Sequence, residues 1–402
     1  MTATFSHPSN SHPGDDHQVV VRFFALTDVG HTRDHNEDAF LVAELNGPQA
    51  VAYQAKVGEP QAVVVGDHGL LFLVADGMGG AASGELASSM ASESILESLR
   101  ANWNSSSSVN PESFATVLRD ATEQANARIH QHSREFPEHR GMGTTATVAG
   151  LLGDRLYLAQ VGDSRAYVIR QGKAIQITKD QSLMQRLVEA GELTEAEAES
   201  SERRNIILQA LGPDEKVTVD LTHQQIRRGD TLIICSDGLS GLVRGEEIAR
   251  LAQDEREVAR LCQRLVDRAN ELGGPDNITV IAAQFDGDGL LPATERDEIG
   301  HRPFPLAGTL AQEEARVPRV RPSPFKSDPT PAFGVPIVAR GTLEDEFARA
   351  TDAEADAHIR ADEEVLQERR KKAQPVMIAL VVMGIVLAIW AIVAMIGVEP
   401  KK

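Results

Sequence analysis

Residues 71–80 read LFLVADGMGG, an apolar run that leads into an aspartate and a glycine-rich turn. The same order of apolar run, aspartate and glycine recurs at residues 232–242, LIICSDGLSGL. Two more stretches, LAQVGDSRAYVI at 158–169 and GGPDNITVIA at 273–282, place an acid at a break between strand-like runs or just before one. Short apolar runs predict buried strands, so we expect the sheet to carry carboxylates to its rim. These acids are Asp76, Asp163, Asp237 and Asp276.

Strand-like runs and longer helical patterns alternate in clusters along residues 19–287, which we predict to be the folded domain. The spacing of Ala, Leu, Val and Ile predicts helices over Glu85–Trp103, Pro111–Ser133 and Glu246–Leu272. Clusters of strands between long helices favour an α+β fold in layers over a doubly wound parallel sheet. The predicted strands are Leu71–Val74, Ala146–Leu151, Leu156–Val161, Ala166–Ile169, Leu232–Cys235 and Ile278–Ala283.

The composition restricts the classes of partner. The net charge of −19 opposes binding to nucleic acid, which depends on basic residues that neutralise phosphates. An aromatic content of 4% also argues against stacking on bases. Two cysteines, Cys235 and Cys262, make neither a disulfide framework nor a zinc cluster, and they favour a reducing compartment. We therefore expect no nucleic-acid partner.

Four further segments flank the predicted domain. Residues 1–18 are a polar tail without the features of a signal peptide. Residues 288–340 contain nine prolines and predict an extended linker. Residues 341–372, rich in Ala, Glu, Asp and Arg, predict a charged helix. Residues 376–398 carry no charge, and as a helix they would span about 34 Å, enough for a transmembrane helix.

The charges around residues 376–398 predict an orientation in the membrane. Four basic residues, RRKK at 369–372, precede the apolar segment, and Lys401 and Lys402 follow it. Basic residues favour the cytoplasmic side. We therefore expect the N-terminal domain to be cytoplasmic and the C-terminus to lie outside.

The acids at the predicted rim suggest a metal site. A single Asp-Gly pair is by itself typical of a type I′ turn, but the glycines after Asp76 exceed what a hairpin needs and would allow a ligand to approach the backbone. Crowded carboxylates repel one another until a divalent cation neutralises them. Oxygen ligands without Cys or His favour Mg²⁺, Mn²⁺ or Ca²⁺ over Zn²⁺. In TDVGHTRDHNEDAF at 27–40, the guanidinium of Arg33 is well shaped to bind phosphate oxygens.

Seven motifs follow one another in the predicted domain: GHTRDHNEDAF, LFLVADGMGGAASGELAS, GMGTTATVA, VGDSRAYVI, RNIILQALG, GDTLIICSDGLSGLV and GGPDNITVI. In their order and spacing they resemble the metal-dependent PPM family (type 2C) of protein serine/threonine phosphatases in its bacterial form. The resemblance covers roughly residues 22–285 and implies a four-layer α-β-β-α sandwich with two metal ions, Mn²⁺ or Mg²⁺, in a cleft at one end of the sheets.

The resemblance also implies roles for individual residues. Asp76 would bridge both metals and the Gly77 carbonyl would bind one of them. Asp237 and Asp276 would complete the shell of the first metal.

Further roles implied by the resemblance belong to the N-terminal motif and to the break between the central strands. Glu37 and Asp38 would serve the second metal directly or through water. Asp163 would help to hold a third, weaker metal, and Arg33 would bind the substrate phosphate. A metal-activated water would then hydrolyse phosphoserine and phosphothreonine in proteins, and a serine nucleophile at Ser164 is not required.

Some positions depart from the family pattern. Met78 stands where many eukaryotic members have His, which leaves protonation of the leaving group to water or another group. Gln181 stands where relatives usually have His. Residues 183–212, here called the flap, match a mobile segment of bacterial relatives but differ from them at 199–205. Residues 46–68 form a longer connection than the family needs, either a β excursion or a loose loop.

Two alternatives to a protein phosphatase are compatible with the sequence. The chain could be a phosphoprotein-binding pseudophosphatase or membrane scaffold, or it could dephosphorylate a small molecule. The expected partners are phosphoprotein substrates of a Ser/Thr kinase and, through residues 376–398, a membrane. The acidic residues 341–368 are read as a spacer helix or as a docking segment for a partner.

Overall fold

The computed structural model describes only part of the chain, and several predicted segments lie outside that part. No helix among the described residues is long and apolar enough to cross a bilayer. The transmembrane helix predicted at 376–398 and the charged helix at 341–372 lie outside the described residues, and so does most of the predicted tail. The described residues are 18–45, 52–53, 60–103, 109–201, 203 and 205–306.

Two antiparallel sheets form the centre of the described region. One has the strand order β10-β9-β12-β13-β1-β4, and the other has the order β11-β8-β7-β5-β2-β3, with β6 paired to the end of β5. The strands are β1 (Val20–Asp28), β2 (Asp38–Glu44), β3 (Ala52–Tyr53), β4 (Gln61–Val64), β5 (Leu70–Met78), β6 (Gly143–Thr144), β7 (Ala146–Leu152), β8 (Arg155–Val161), β9 (Arg165–Arg170), β10 (Lys173–Gln176), β11 (Asp220–Gln225), β12 (Thr231–Cys235) and β13 (Ile278–Asp286).

Helices cover the outer faces of both sheets. The longest of them in the described region begins where its sequence predicts a helix start: the side chain of Asn110 accepts a hydrogen bond from the Ser113 amide at 2.9 Å, and Pro111 follows the cap. The helices are α1 (Ala81–Asn102), α2 (Pro111–Glu135), α3 (Leu183–Glu189), α4 (Glu195–Ser200), α5 (Asp237–Ser240), α6 (Gly245–Asp254) and α7 (Val258–Glu271), with a 3₁₀ turn at Pro137–His139.

The side chains of β5 show how the layers are held together. Successive residues of a strand point to opposite faces of its sheet. Leu71, Leu73 and Ala75 belong to the apolar cluster under α1 and α2. Leu70 and Phe72 belong to the cluster between the two sheets. A third cluster packs α6 and α7 against the other sheet, so the four-layer α-β-β-α sandwich expected from the sequence is confirmed.

The single helix predicted over Glu246–Leu272 is two helices. The first, α6, ends at Asp254, and Glu255 is extended with φ −112° and ψ 104°. The break from Glu255 to Glu257 is charged and has no apolar side chain to bury. The side-chain Nε2 of Gln284 donates to the Arg256 carbonyl at 2.7 Å and thereby supports the non-helical backbone. The apolar spacing alone did not reveal this break.

Residues 288–306, here called the strap, differ from the extended linker expected from residue 288. Leu290 and Leu306 are 1% and 6% exposed within the core. The strap runs along β11, where the Phe304 amide donates to the Leu221 carbonyl at 2.8 Å. Asp297 forms an ion pair with Arg227 at 2.5 Å. The packed domain therefore extends at least to residue 306, and the rest of the predicted linker lies outside the described residues.

The long connection at 46–68 contains β structure. Ala52 and Tyr53 pair with β2, and β4 pairs with β1 in the register Val20↔Val64 to Phe23↔Gln61. Of the two interpretations left open by the sequence, the structure supports a β excursion for these parts. Residues 46–51 and 54–59 lie outside the described residues.

Candidate active site

Asp38 and Asp76 lie opposite each other on neighbouring strands. They are register partners in the antiparallel pair of β2 and β5. Side chains directly opposite in such a pair project to the same face of the sheet. The sequence suggested that Asp76 follows the end of its strand. In the structure Asp76 lies within β5, because pairing with β2 and β6 continues this strand to Met78. The sheet thus brings together two acids that are 38 positions apart in the chain.

Three more acids reach the same rim from other elements. Asp163 lies in the break between β8 and β9, Asp237 is the first residue of α5, and Asp276 precedes β13. The carboxyl of Asp76 feels the negative charge of all three, and of Asp38. The pKa of Asp237 is raised in turn, first by burial and then by the charge of Asp276. The five aspartates selected from the sequence therefore converge on one place.

Burial and mutual repulsion make these carboxyls hard to ionise without a counter-charge. Burial, with the charges of Asp237 and Asp276, raises the pKa of Asp38 from its ordinary value of 3.8 to about 7. Burial, with Asp237 and Asp180, raises the pKa of Asp163 to about 8. The pKa of Asp76 is raised well above its usual range, first by burial and then by Asp38. Such a cluster is stabilised by protons or by cations.

The donor atoms fit divalent cations in their chemistry. The Oδ1 atoms of Asp38 and Asp163 are buried and have no hydrogen-bond partner in the described part of the chain. Oxygen-only carboxylate sites favour Mg²⁺ or Mn²⁺. No group of three His, Cys, Asp or Glu side chains among the described residues already has an arrangement that would hold an ion. The residues fit the cations in their chemistry, and their side chains would have to rearrange to hold them.

Glycines give Glu37 its place beside the cluster. The Gly77 amide donates to the Glu37 carbonyl at 3.2 Å. A Cβ on Gly77 would lie 2.5 Å from that carbonyl oxygen. A Cβ on Gly84 would collide with the carboxylate of Glu37. The glycines after Asp76 thus allow the backbones of β5 and α1 to lie close to Glu37. This close packing needs glycine independently of the turn.

Hydroxyl groups hold the aspartate backbones and side chains in position. Ser236 donates from its Oγ to Asp38 Oδ2 at 2.8 Å and accepts from the Thr279 amide at 3.0 Å. The Asp76 amide donates to Thr145 Oγ1 at 3.0 Å, and the Asp76 carbonyl accepts from Thr144 Oγ1 at 2.9 Å. These contacts fix Asp38 and Asp76 before any ligand binds.

Asn277 fastens the N-terminal motif to the rim. Its Oδ1 accepts from the Glu37 amide at 2.8 Å. Its Nδ2 donates to the carbonyls of Val29 and His35, both at 2.9 Å. One nearly buried amide side chain, 4% exposed, therefore fixes the loop that carries Arg33 and Glu37.

Arg33 lies where the rim opens into a cleft. Its Nη2 donates to Asp276 Oδ2 at 2.8 Å, and half of its side chain is exposed. The cleft has a volume of about 610 Å³, and its walls come from the rim acids, the flap and α5. A site of this size accommodates a side chain and its neighbours rather than a single ion. Arg33 is placed to meet an anion at the mouth.

Several supporting residues lie in the motifs quoted above, but their roles were not predicted from the sequence. Ser236 precedes Asp237, Asn277 follows Asp276, and Thr144 and Thr145 lie in GMGTTATVA. Their adjacency to the acids was the available signal. Ser164 is buried with 0% exposure, and its hydroxyl is hydrogen-bonded to Thr145 at 2.8 Å, which is unsuitable for a nucleophile.

Comparison with known proteins relates this site to characterised phosphatases. A family model described as protein phosphatase 2C matches residues 60–278. The chain is 33% identical over 261 residues to a serine/threonine phosphatase, stp, of Listeria monocytogenes, a match that covers 65% of this chain and 94% of the relative. It is 36% identical over 266 residues to the serine/threonine protein phosphatase PstP of Mycobacterium tuberculosis, covering 66% of this chain and 45% of that relative.

Solved structures show the same fold. The crystal structure of the Mycobacterium tuberculosis phosphatase PstP/Ppp matches with a TM-score of 0.55 and 34% identity, over 66% of this chain and 99% of that one. The PstP catalytic domain in complex with two manganese ions matches with a TM-score of 0.53 and 34% identity, over 67% of this chain and 99% of that one.

Proposed function

Because the chain belongs to the protein phosphatase 2C family, we propose that it hydrolyses phosphoserine and phosphothreonine in proteins by means of divalent cations held at its carboxylate rim. The observation that carries the proposal is the convergence of five aspartates from five separate elements, two of them with buried, unpartnered oxygens. If these carboxylates served only in structural ion pairs, each would have an Arg or Lys partner. Arg165, whose charge reaches Asp163 and Asp237, is paired with Asp180 instead, and Arg33 contacts the cluster only at its exposed edge.

The rim residues divide the work of holding cations. Asp76, whose carboxyl faces the other four aspartates, would bridge two ions, with the Gly77 carbonyl beside it. Asp237 and Asp276 would complete one shell. When bound, the cations supply a water that ionises near neutral pH, and they offset the charge of the phosphate.

Other residues would bind the second ion and the substrate. Glu37 and Asp38 would hold the second ion, directly or through water, and Asp163 would contribute to a third. Arg33 would release Asp276 and bind phosphate oxygens, since its half-exposed guanidinium can turn into the cleft. The geometry of Ser164 supports hydrolysis without a covalent enzyme intermediate.

We further propose that residues 376–398 anchor the enzyme in a membrane, with the catalytic domain on the cytoplasmic side and phosphoproteins of a Ser/Thr kinase as substrates. The charge-free segment and the RRKK that precedes it support this proposal. Fractionation of cells, with protease protection of tags at the two ends, tests it. A chain that stays in the soluble fraction would contradict the anchor.

The phosphatase activity is tested with the 402-residue chain purified in detergent. A phosphothreonine peptide should be hydrolysed with Mn²⁺ and not with EDTA. Asp76→Asn and Asp237→Asn should each lower kcat at least a hundredfold. Asp254→Asn, an exposed position on α6, is the matched control and should retain activity. Full turnover by either rim variant would exclude the carboxylate mechanism.

The same assay separates the alternative functions. Mn²⁺ binding measured by calorimetry without turnover of any phosphopeptide would identify a pseudophosphatase or scaffold. Turnover of small phosphorylated metabolites at a higher kcat/KM than phosphopeptides would identify a small-molecule phosphatase. The family relationship and the cleft of about 610 Å³ favour a protein substrate.

A further inference from the structure

Two histidines face each other where α2 ends and the 3₁₀ turn follows. His132 lies in the last turn of α2, and His139 is the last residue of the 3₁₀ turn. Nε2 of His132 and Nδ1 of His139 are hydrogen-bonded at 2.9 Å. The ring planes differ by 17°, and the ring centroids are 5.1 Å apart. Because the centroids are much further apart than these nitrogens, the rings meet edge to edge, with the two nitrogens facing each other.

The backbone and the ring of Phe136 hold this histidine pair in place. The Phe136 amide donates to the His132 carbonyl, and the His139 amide donates to the Phe136 carbonyl, both at 3.0 Å. The Phe136 ring stacks on His132 with centroids 4.4 Å apart and planes 29° apart. Both histidines are partly exposed, so small ions in solution reach the pair. The two imidazoles therefore form a fixed and accessible pair of nitrogen ligands.

A cation can take the place of the proton between the two rings. In a neutral pair, one of the facing nitrogens carries a proton and the other accepts it. The donor ring frees its nitrogen by carrying its proton on the other ring nitrogen, so no proton has to leave the pair. Zn–N bonds of about 2.0–2.1 Å in tetrahedral geometry require a nitrogen separation of about 3.3 Å, which is only about 0.4 Å more than in the structure. Imidazole suits Zn²⁺, whereas Mg²⁺ and Mn²⁺ prefer oxygen ligands.

We propose that His132 and His139 form a second cation site, separate from the carboxylate rim, which takes Zn²⁺ through two imidazole nitrogens. Water molecules complete the shell, because the described part of the chain brings no group of three ligating side chains together. Structural zinc sites use four protein ligands. A site with two is therefore weaker, and it exchanges its ion with the solution.

The histidine pair adjoins the segment that supports the backbone of Asp76. The Met142 amide donates to the His139 carbonyl at 3.1 Å. Strand β6 follows directly and pairs with the end of β5. Within β6, Thr144 Oγ1 donates to the Asp76 carbonyl at 2.9 Å. Zn²⁺ that ties His139 to α2 would therefore restrain residues 140–144, which lie between the pair and the rim.

The test is calorimetric titration of the full chain with Zn²⁺, in detergent and with Mn²⁺ in excess to compete for the rim. The variants His132→Gln and His139→Gln each remove one imidazole and keep a polar side chain. The matched control is His130→Gln, also on α2, because the His130 ring contacts the Gly212 carbonyl at 2.8 Å instead of a second imidazole. The unaltered protein and the control should share a Zn²⁺-binding component that each pair variant weakens about tenfold or more. Any Zn²⁺ binding at the rim should be the same in all four proteins.

Hydrogen exchange of peptides that cover residues 136–145, measured by mass spectrometry, locates the bound ion. Zn²⁺ should slow this exchange several-fold in the unaltered protein and in His130→Gln, and in neither pair variant. If the histidines only cap α2, the pair variants melt at a lower temperature in EDTA and all four Zn²⁺ titrations coincide, which would overturn the proposal. Slowed exchange in His132→Gln would overturn it as well. Neither measurement uses phosphatase activity, so both decide the site even if the proposed function fails.

Discussion

Replacement of Asp38 by Asn should stabilise the metal-free protein while it impairs catalysis. Burial raises the pKa of Asp38 from 3.8 to about 7 in the folded state. The folded protein therefore binds this proton more tightly than the unfolded chain does. The resulting stability is fully present below pH 4, is lost as the pH rises towards 7, and stays lost at higher pH.

The size of the effect follows from the same pKa. The step from 3.8 to about 7 corresponds to about 4 kcal/mol of unfolding free energy. Asn remains neutral and avoids this loss. Its extra N–H group would lie where Oδ1 of Asp38 has no partner, and a buried donor without an acceptor costs about 2 kcal/mol. At pH 8, Asp38→Asn should thus gain about 2 kcal/mol, which raises the melting temperature by roughly 4–8 °C.

The assay is thermal unfolding of the full chain in EDTA at pH values from 4 to 8, with Asp254→Asn as an exposed control. The unaltered protein and the control should lose stability across this range more steeply than Asp38→Asn. With Mn²⁺ the order should reverse, because ligand binding stabilises the protein that retains its carboxylate. An Asp38→Asn protein that is less stable than the unaltered one in EDTA at pH 8 would refute the electrostatic reasoning.

Three other substitutions, the last of them with a control, test the site and the strap. Arg33→Ala should raise KM for a phosphopeptide at least tenfold, and a lower kcat at unchanged KM would contradict phosphate binding. Its melting temperature should stay within about 3 °C of the unaltered value, because a half-exposed ion pair contributes only about 0–1 kcal/mol. Asn277→Ala removes three hydrogen bonds and should lower the unfolding free energy by about 3 kcal/mol in urea titrations, whereas a loss below about 1 kcal/mol would show that the loop is held otherwise. Leu290→Ala, at a 1% exposed position of the strap, should lower the unfolding free energy by about 3 kcal/mol in the same titration. The control Leu291→Ala, at a 65% exposed position, should lower it little, and equal losses would mean that the strap does not pack as described.

Local pattern was sufficient for the parts of this protein whose residues are neighbours in the chain. The run Leu232–Cys235 predicts most of β12, and the spacing in Pro111–Ser133 predicts most of α2. In contrast, β11 reads DLTHQQ, which lacks an apolar run, and it forms because β8 and the strap pair with its two edges. Such strands depend on partners that no local pattern reveals.

The acids of the rim were predictable because apolar runs and glycines mark them, and their motifs resemble a known family. The residues that position them were not, because hydrogen bonds such as that of Ser236 with Asp38 join positions 198 residues apart. Sequence alone therefore determined which chemical groups this protein carries and on which local elements they lie. Only the tertiary structure decided that Ser236 and Asn277 hold the site residues and that the strap packs along β11, since buried polar groups find their partners through packing of distant segments.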